Sequence, residues 1–223
     1  RLTDVTGVQT CALPICLANT LHIISNRDLP HALTAKGRTQ ARRLAKSLEA
    51  TPLTHIYTSP VLRARQTADI VGRALHLPVE VAEGLKEYDC GILEGRGDDA
   101  AWALHRQFAQ DWLAGRNRAS APDGGESFLD IQKRVGEFLS GLAAQFNGRQ
   151  AEVLCVSHGG TLLFGLLERF SNVDAAFIQK NGFPHTSIIS AAQCDARLVC
   201  TRWGKIVLDG NESGLTQNHE IIR

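Results

Sequence analysis

The stretch VLCVSHGGTLLFGLL, residues 153–167, sets His158 between two apolar runs. Residues 153–156 are apolar and partly β-branched, which reads as a buried strand, and the run after Gly160 reads as a helix. A helix start built on glycines presents free backbone N–H groups and a positive dipole end, which suit a phosphate or another anion. Taken singly, Ser157-His158-Gly159 also fits a loop histidine with a purely structural hydrogen bond. Its meaning therefore depends on the groups that join it.

Three further segments carry suitable side chains. In SPVLRARQTA, residues 59–68, Arg63 and Arg65 follow a strand end and open a helix. That is the carboxyl edge where open α/β sheets bind ligands, and the guanidinium fork suits phosphate oxygens. Either arginine alone reads equally well as a solvated helix charge. In LKEYDCGILEG, residues 85–95, Glu87, Asp89 and Glu94 cluster around glycines. In PDGGES, residues 122–127, a turn ends in Glu126 and Ser127, whose role reads as capping the next helix, near the site.

The elements that must position these groups alternate between strand and helix. A helix of about 14 residues follows Thr34, with Ala41, Leu44, Ala45 and Leu48 on one face. Residues 55–58 form a strand, and residues 61–75 a helix in which Pro60 suits the first turn. Residues 78–81 read as another strand. Residues 84–126 read as an insertion able to cover a site, with a short helix around 99–114. In residues 127–146, Phe128, Ile131, Val135, Phe138, Leu139, Leu142 and Phe146 recur at spacings of 3 and 4, the mark of a core-facing helix. Residues 186–191 and 197–203 resemble a late pair of strands. This alternation predicts an α/β sheet with helices on both faces.

Composition excludes several classes. The chain has 223 residues, 43% of them hydrophobic, enough for one substantial core. A formal net charge of +1 with no basic block points away from nucleic acid. No apolar run reaches membrane-spanning length, and no signal-peptide pattern opens the chain. Cys11, Cys16, Cys90, Cys155, Cys194 and Cys200 form no CxxC pair, so a reduced, cytoplasmic setting is expected. The eight histidines show no metal-ligand spacing.

Taken in order, SPVLRARQTA, LKEYDCGILEG, PDGGES and VLCVSHGG resemble the motifs of the histidine phosphatase superfamily, which includes the phosphoglycerate-mutase-like enzymes. The resemblance implies a three-layer α/β/α sandwich with a mostly parallel sheet, a two-histidine phosphate pocket and a phosphohistidine intermediate. It implies a small phosphorylated substrate, with no metal or other cofactor, no nucleic acid and no membrane. By that resemblance His158 is the second histidine, donating to the transferring phosphoryl group. Arg63 binds its oxygens, Glu87 is the acid that protonates the leaving oxygen, Gly159 adds a backbone N–H, and Asn19 contacts substrate. Such chemistry needs mainly positioning and charge stabilisation. The expected parent activity is a phosphomonoester hydrolase, because Arg96, Arg106, Arg116 and Arg118 are separated where mutases usually carry a paired arginine. A mutase-type phosphotransferase and a non-catalytic phosphate-binding homologue are the alternatives.

The front of the chain departs from that pattern. In the family the first strand ends in Arg-His-Gly, and this histidine is the nucleophile. Leu17-Ala18-Asn19 fits the tail of the motif, and residues 27–37 continue it. Counting back from Asn19, the motif falls on Ala12, Leu13 and Pro14. Residues 5–15, VTGVQTCALPI, resemble a translated short-read sequencing adapter. Residues 1–16 are therefore expected to be an artefactual segment joined to a truncated reading frame; the alternative is the divergent N-terminus of an inactive homologue. Residues 17–209 are expected to form the domain and 210–223 a polar, frayed tail. A leucine cannot attack phosphorus, so little or no turnover is expected, with phosphate binding retained through Arg63 and His158. Pro14 is expected to cost a central strand one ladder hydrogen bond, while residues 8–13 are apolar enough to fill that slot in part.

Overall fold

The computed structural model describes residues 7–12, 14–147, 149–182, 187–194 and 197–208. The expected tail at 210–223 lies outside the described residues. Along the chain the strands are β1 (Gly7–Ala12), β2 (His55–Thr58), β3 (Val79–Val81) and β4 (Glu152–Ser157). They are followed by β5 (Ile188–Cys194), β6 (Arg197–Trp203) and β7 (Ile206–Val207). All seven belong to one sheet, ordered β3-β2-β4-β1-β5-β6-β7. The four strands β3, β2, β4 and β1 are mutually parallel, and β5, β6 and β7 continue the sheet antiparallel.

The helices are α1 (Leu17–Leu21), α2 (Ala35–Leu48), α3 (Leu62–Leu75) and α4 (Asp99–Leu113). After them come α5 (Phe128–Gln145), α6 (Gly159–Leu166) and α7 (Ala175–Asn181). Successive side chains of a strand point to opposite faces, and β4 divides its residues accordingly. Leu154 and Val156 pack with Leu44, Ala45, Ala64 and Val71 of α2 and α3. Val153 and Cys155 pack with Leu142 and Phe146 at the end of α5. These two cores make the sandwich three-layered.

Local chemistry explains where the helices begin. The Thr34 side chain accepts the Gly37 N–H at the start of α2. At α5 the Ser127 hydroxyl and the Asp130 carboxylate satisfy each other's backbone N–H in a capping box. Ser127 is thus structural, and Glu126 is too: it holds Arg134 at 2.7 Å and accepts the Asp89 N–H.

The insertion is joined to the main core more firmly than a loose cover would be. Trp112 of α4 is fully buried, edge-on to Phe164 of α6 at 5.1 Å and beside Phe128 of α5. Two details differ from the sequence expectations. β1 ends at Ala12, so Pro14 lies past the strand and removes no ladder bond from it. The late strand starts at Ile188, and Thr186 lies outside the described residues. Periodicity also gave no sign of α1, which at five residues is too short to show one. Among the described residues no helix is long and apolar enough to cross a membrane.

Candidate active site

β2 and β4 end side by side, tied by the Ser59 N–H donating to the Val156 carbonyl at 2.9 Å. Two functional side chains therefore leave the same sheet edge. His158 follows β4 as the N-cap of α6 and is 1% exposed. Arg63 sits in the first turn of α3, just past Ser59 and Pro60, and is 6% exposed. Arg65, two residues on, points to solvent. The ambiguity between the two arginines resolves in favour of Arg63.

The hydrogen bonds fix the imidazole's tautomer. Arg63 Nη2 lies 3.0 Å from His158 Nδ1. A guanidinium only donates, so Nδ1 accepts and Nε2 carries the proton. That proton goes to Ser59 Oγ, 2.7 Å away. Burial drives the His158 pKa well below the ordinary imidazole value, and the charges of Arg63 and Arg134 push the same way. His158 is accordingly neutral at physiological pH. Burial also lowers the Arg63 pKa, with Glu87 opposing it. One guanidinium nitrogen, Nη1, is buried without a hydrogen-bond partner among the described residues. A buried cationic donor in that condition is costly unless an anion meets it.

Glu87 reaches the same place from the turn after β3. Its carboxylate accepts the Thr161 N–H at 2.7 Å, the Gly160 N–H at 3.1 Å and the Thr161 hydroxyl at 3.0 Å. Burial raises its pKa, while the Arg63 charge and the donated N–H groups work against that shift. This corrects the sequence reading of α6. Two of its first amides hold an internal carboxylate, not a ligand, because Glu87 is close enough to satisfy the dipole. The Gly159 N–H has no partner among the described residues. A Cβ at Gly159 would enter open space, so the backbone is approachable there.

The acidic cluster separates on folding. Asp89 pairs with Arg27 at 2.9 Å, and Glu94 accepts the backbone N–H groups of Asn26, Arg27 and Cys90. Only Glu87 of the three carboxylates lines the cavity. Asn19 lines it as well, but its Oδ1 accepts from the Cys16 backbone N–H and thiol. Cys16, Cys90, Cys155 and Cys200 are buried free thiols, and burial pushes Cys155 up to about 12, which makes it inert.

The cavity measures about 350 Å³. Its lining brings together His158, Arg63, Glu87 and Gly159, and beside them the rings of Trp102, His105 and Phe164. The sequence reading missed two contributors. Ser59 stood inside a quoted motif, and its hydroxyl before Pro60 was the available signal. The aromatic wall draws on Tyr88, Trp102 and His105; the last two share a face of α4 at i, i+3, but their partnership with Tyr88 is set by the fold.

Comparison with known proteins places these features in context. The family model described as histidine phosphatase superfamily (branch 1) matches residues 18–206. A relative named "Probable phosphoglycerate mutase GpmB" from Salmonella arizonae is 31% identical over 127 residues, covering 57% of this chain and 58% of its own. The chain thus spans about three fifths of the length of the curated relatives it matches. Among solved structures, mycobacterial glucosyl-3-phosphoglycerate phosphatase aligns with a TM-score of 0.75 at 22% identity, over 90% of this chain and 99% of its own. A phosphoserine phosphatase from Entamoeba histolytica, in complex with phosphoserine, aligns with a TM-score of 0.69 at 25% identity, over 89% and 96%.

Proposed function

The chain belongs to the histidine phosphatase superfamily, and on that premise we propose that its parent activity is phosphomonoester hydrolysis through a phosphohistidine. The observation that carries the reading is the buried, unpartnered Arg63 Nη1 beside neutral His158 in one cavity. A phosphoryl group supplies the acceptor oxygens that Arg63 lacks, and the guanidinium fork meets two of them at once. His158 turns its Nε2–H from Ser59 to a phosphoryl oxygen. Gly159 adds its free N–H.

Glu87 supplies the proton. Its raised pKa keeps more of the acid form near neutral pH, which is what a general acid requires. In the transfer step a nucleophilic imidazole nitrogen bonds to phosphorus, the bond to the ester oxygen breaks, and that oxygen takes the Glu87 proton. Water then attacks the phosphorus of the phosphohistidine and gives its proton back to the Glu87 carboxylate, as the N–P bond breaks and releases inorganic phosphate and the free imidazole.

The nucleophile is what this chain lacks, since Ala12, Leu13 and Pro14 stand where the family carries Arg-His-Gly. We assign the chain as written a phosphate pocket without turnover. The mutase alternative draws on the names of the relatives. Against it, Arg96, Arg106, Arg116 and Arg118 are absent from the described cavity lining, and three of them are bound to Asp98, Asp111 and Glu168. Calorimetric titration tests the pocket: inorganic phosphate binds the full chain, and Arg63→Ala weakens it by about 10- to 100-fold, the loss of a charge-assisted bond. Equal affinity in the variant refutes the pocket. The combined change Ala12→Arg, Leu13→His and Pro14→Gly then produces hydrolysis of p-nitrophenyl phosphate. Continued silence of that variant favours a non-catalytic phosphate-binding protein.

A further inference from the structure

Beside the phosphate-binding groups, the cavity lining includes a set of rings in contact with one another. Trp102 of α4 stacks on His22 with centroids 4.9 Å apart and meets His105 edge-on at 5.3 Å. His105 lies over Tyr88 at 6.0 Å, and Tyr88 is edge-on to Phe164 at 5.6 Å. The polar atoms of this wall are largely spent on one another. Trp102 Nε1–H donates to the His22 carbonyl at 2.9 Å, and the Tyr88 hydroxyl bonds His105 Nε2 at 2.7 Å. Burial, and secondarily Arg106, lowers the His105 pKa, so the ring is uncharged at neutral pH. What the wall offers a ligand is ring faces and edges.

Charge is distributed just as unevenly. Among the described residues lining the cavity, Arg63 is the only lysine or arginine, and it belongs to the phosphate end. Nearby cations are committed elsewhere: Arg27 to Asp89, Arg134 to Glu126 and Arg96 to Asp98. A second anionic group on the ligand would leave water for a wall with no counter-charge and with Glu87 close by. That is unfavourable in a partly buried site. An uncharged ring would instead gain stacked and edge-to-face contacts.

We propose that the organic part of the ligand is a small, uncharged group bearing an aromatic ring, seated on Trp102, His105 and Tyr88, and not a carboxylate-bearing phosphoglycerate. This rests on the phosphate pocket described above. The class of reaction that supplies such a ligand is phosphorylation of a ring-bearing alcohol or phenol.

The test is calorimetry on the full chain with three probes: inorganic phosphate, phenyl phosphate and 3-phosphoglycerate. Phenyl phosphate is expected to bind at least about tenfold more tightly than phosphate, and 3-phosphoglycerate no more tightly than phosphate. Trp102→Ala reduces the ratio of phenyl phosphate to phosphate affinity to about threefold or less, and Trp102→Phe restores it. Phosphate binding without a phenyl preference, or a preference for 3-phosphoglycerate, overturns this inference and spares the pocket. If neither phosphate nor phenyl phosphate binds, the phosphate pocket itself is wrong and the inference falls with it.

Discussion

At the proposed phosphate end of the cavity the key side chains leave a sheet edge, a helix start and the turn after β3, and each is held by hydrogen bonds to another element. At the ring-lined part the side chains come from α4, α6 and two loops, and they are held by rings packing on rings together with the Trp102–His22 and Tyr88–His105 hydrogen bonds. The first arrangement fixes atoms to within a hydrogen bond, as phosphoryl transfer demands. The second fixes a surface, which is enough to choose an organic group. On the proposed reading the chemistry sits at the sheet edge and the selectivity on α4 and the loops beside it.

The largest effect that would undo this division concerns the acid. In the triply substituted chain, Glu87→Gln is expected to lower kcat by about 10²–10⁴-fold, the usual contribution of a positioned acid. A loss below tenfold in steady-state assays would move the acid elsewhere. Next comes the anchoring of the lid. Trp112 is fully buried at the join of α4 with Phe128 and Phe164. Trp112→Ala should therefore cost about 3–5 kcal/mol in urea unfolding. A cost under about 1 kcal/mol would make the lid an independent flap.

The smallest effect is a pH slope. His158 has a lowered pKa in the folded state, so between that value and the unfolded value near 6.5 the unfolded chain binds more protons. Stability from His158 is complete above about pH 6.5 and falls on acidification, by at most about 1.4 kcal/mol per pH unit. Glu87, with a raised pKa, contributes in the opposite sense: its share is present in acid and fades as pH rises through its folded value. Urea midpoints measured from pH 5 to 7.5 should lose the first slope in His158→Asn and the second in Glu87→Gln. Unchanged slopes would mean that neither group is buried as described.

Much of the phosphate end was legible in the chain because it depends on local order. An apolar run followed by Ser157-His158-Gly159-Gly160 reads as a strand delivering a histidine to a helix, and the strand and helix are there as β4 and α6. Ser59 and Pro60 likewise announce the opening of α3. What sequence could not decide was which of Arg63 and Arg65 turns inward. Two residues are about 200° apart on a helix, so only the docking of α3 on the sheet selects one. The capture of two α6 amides by Glu87 was hidden for another reason. Glu87 and Thr161 are 74 residues apart, and a carboxylate's partner at that separation is set by the fold. The ring wall joins Trp102 and His105, one turn apart on α4, to His22 and Tyr88 of two distant loops, and only the fold brings those three segments together.

One last feature bears on the front of the chain. Ile15 donates its N–H to Gln40 Oε1 at 3.0 Å, and its carbonyl accepts from the Thr34 N–H and hydroxyl, both at 3.2 Å. Gly37 leaves room for that carbonyl, which a Cβ would meet at 2.1 Å. β1 is held in turn by ladder bonds to β4 and β5. These ties grip peptide groups and ignore side-chain identity. The scaffold thus holds residues 7–12 and 15 through their main-chain groups, a socket keyed to backbone shape.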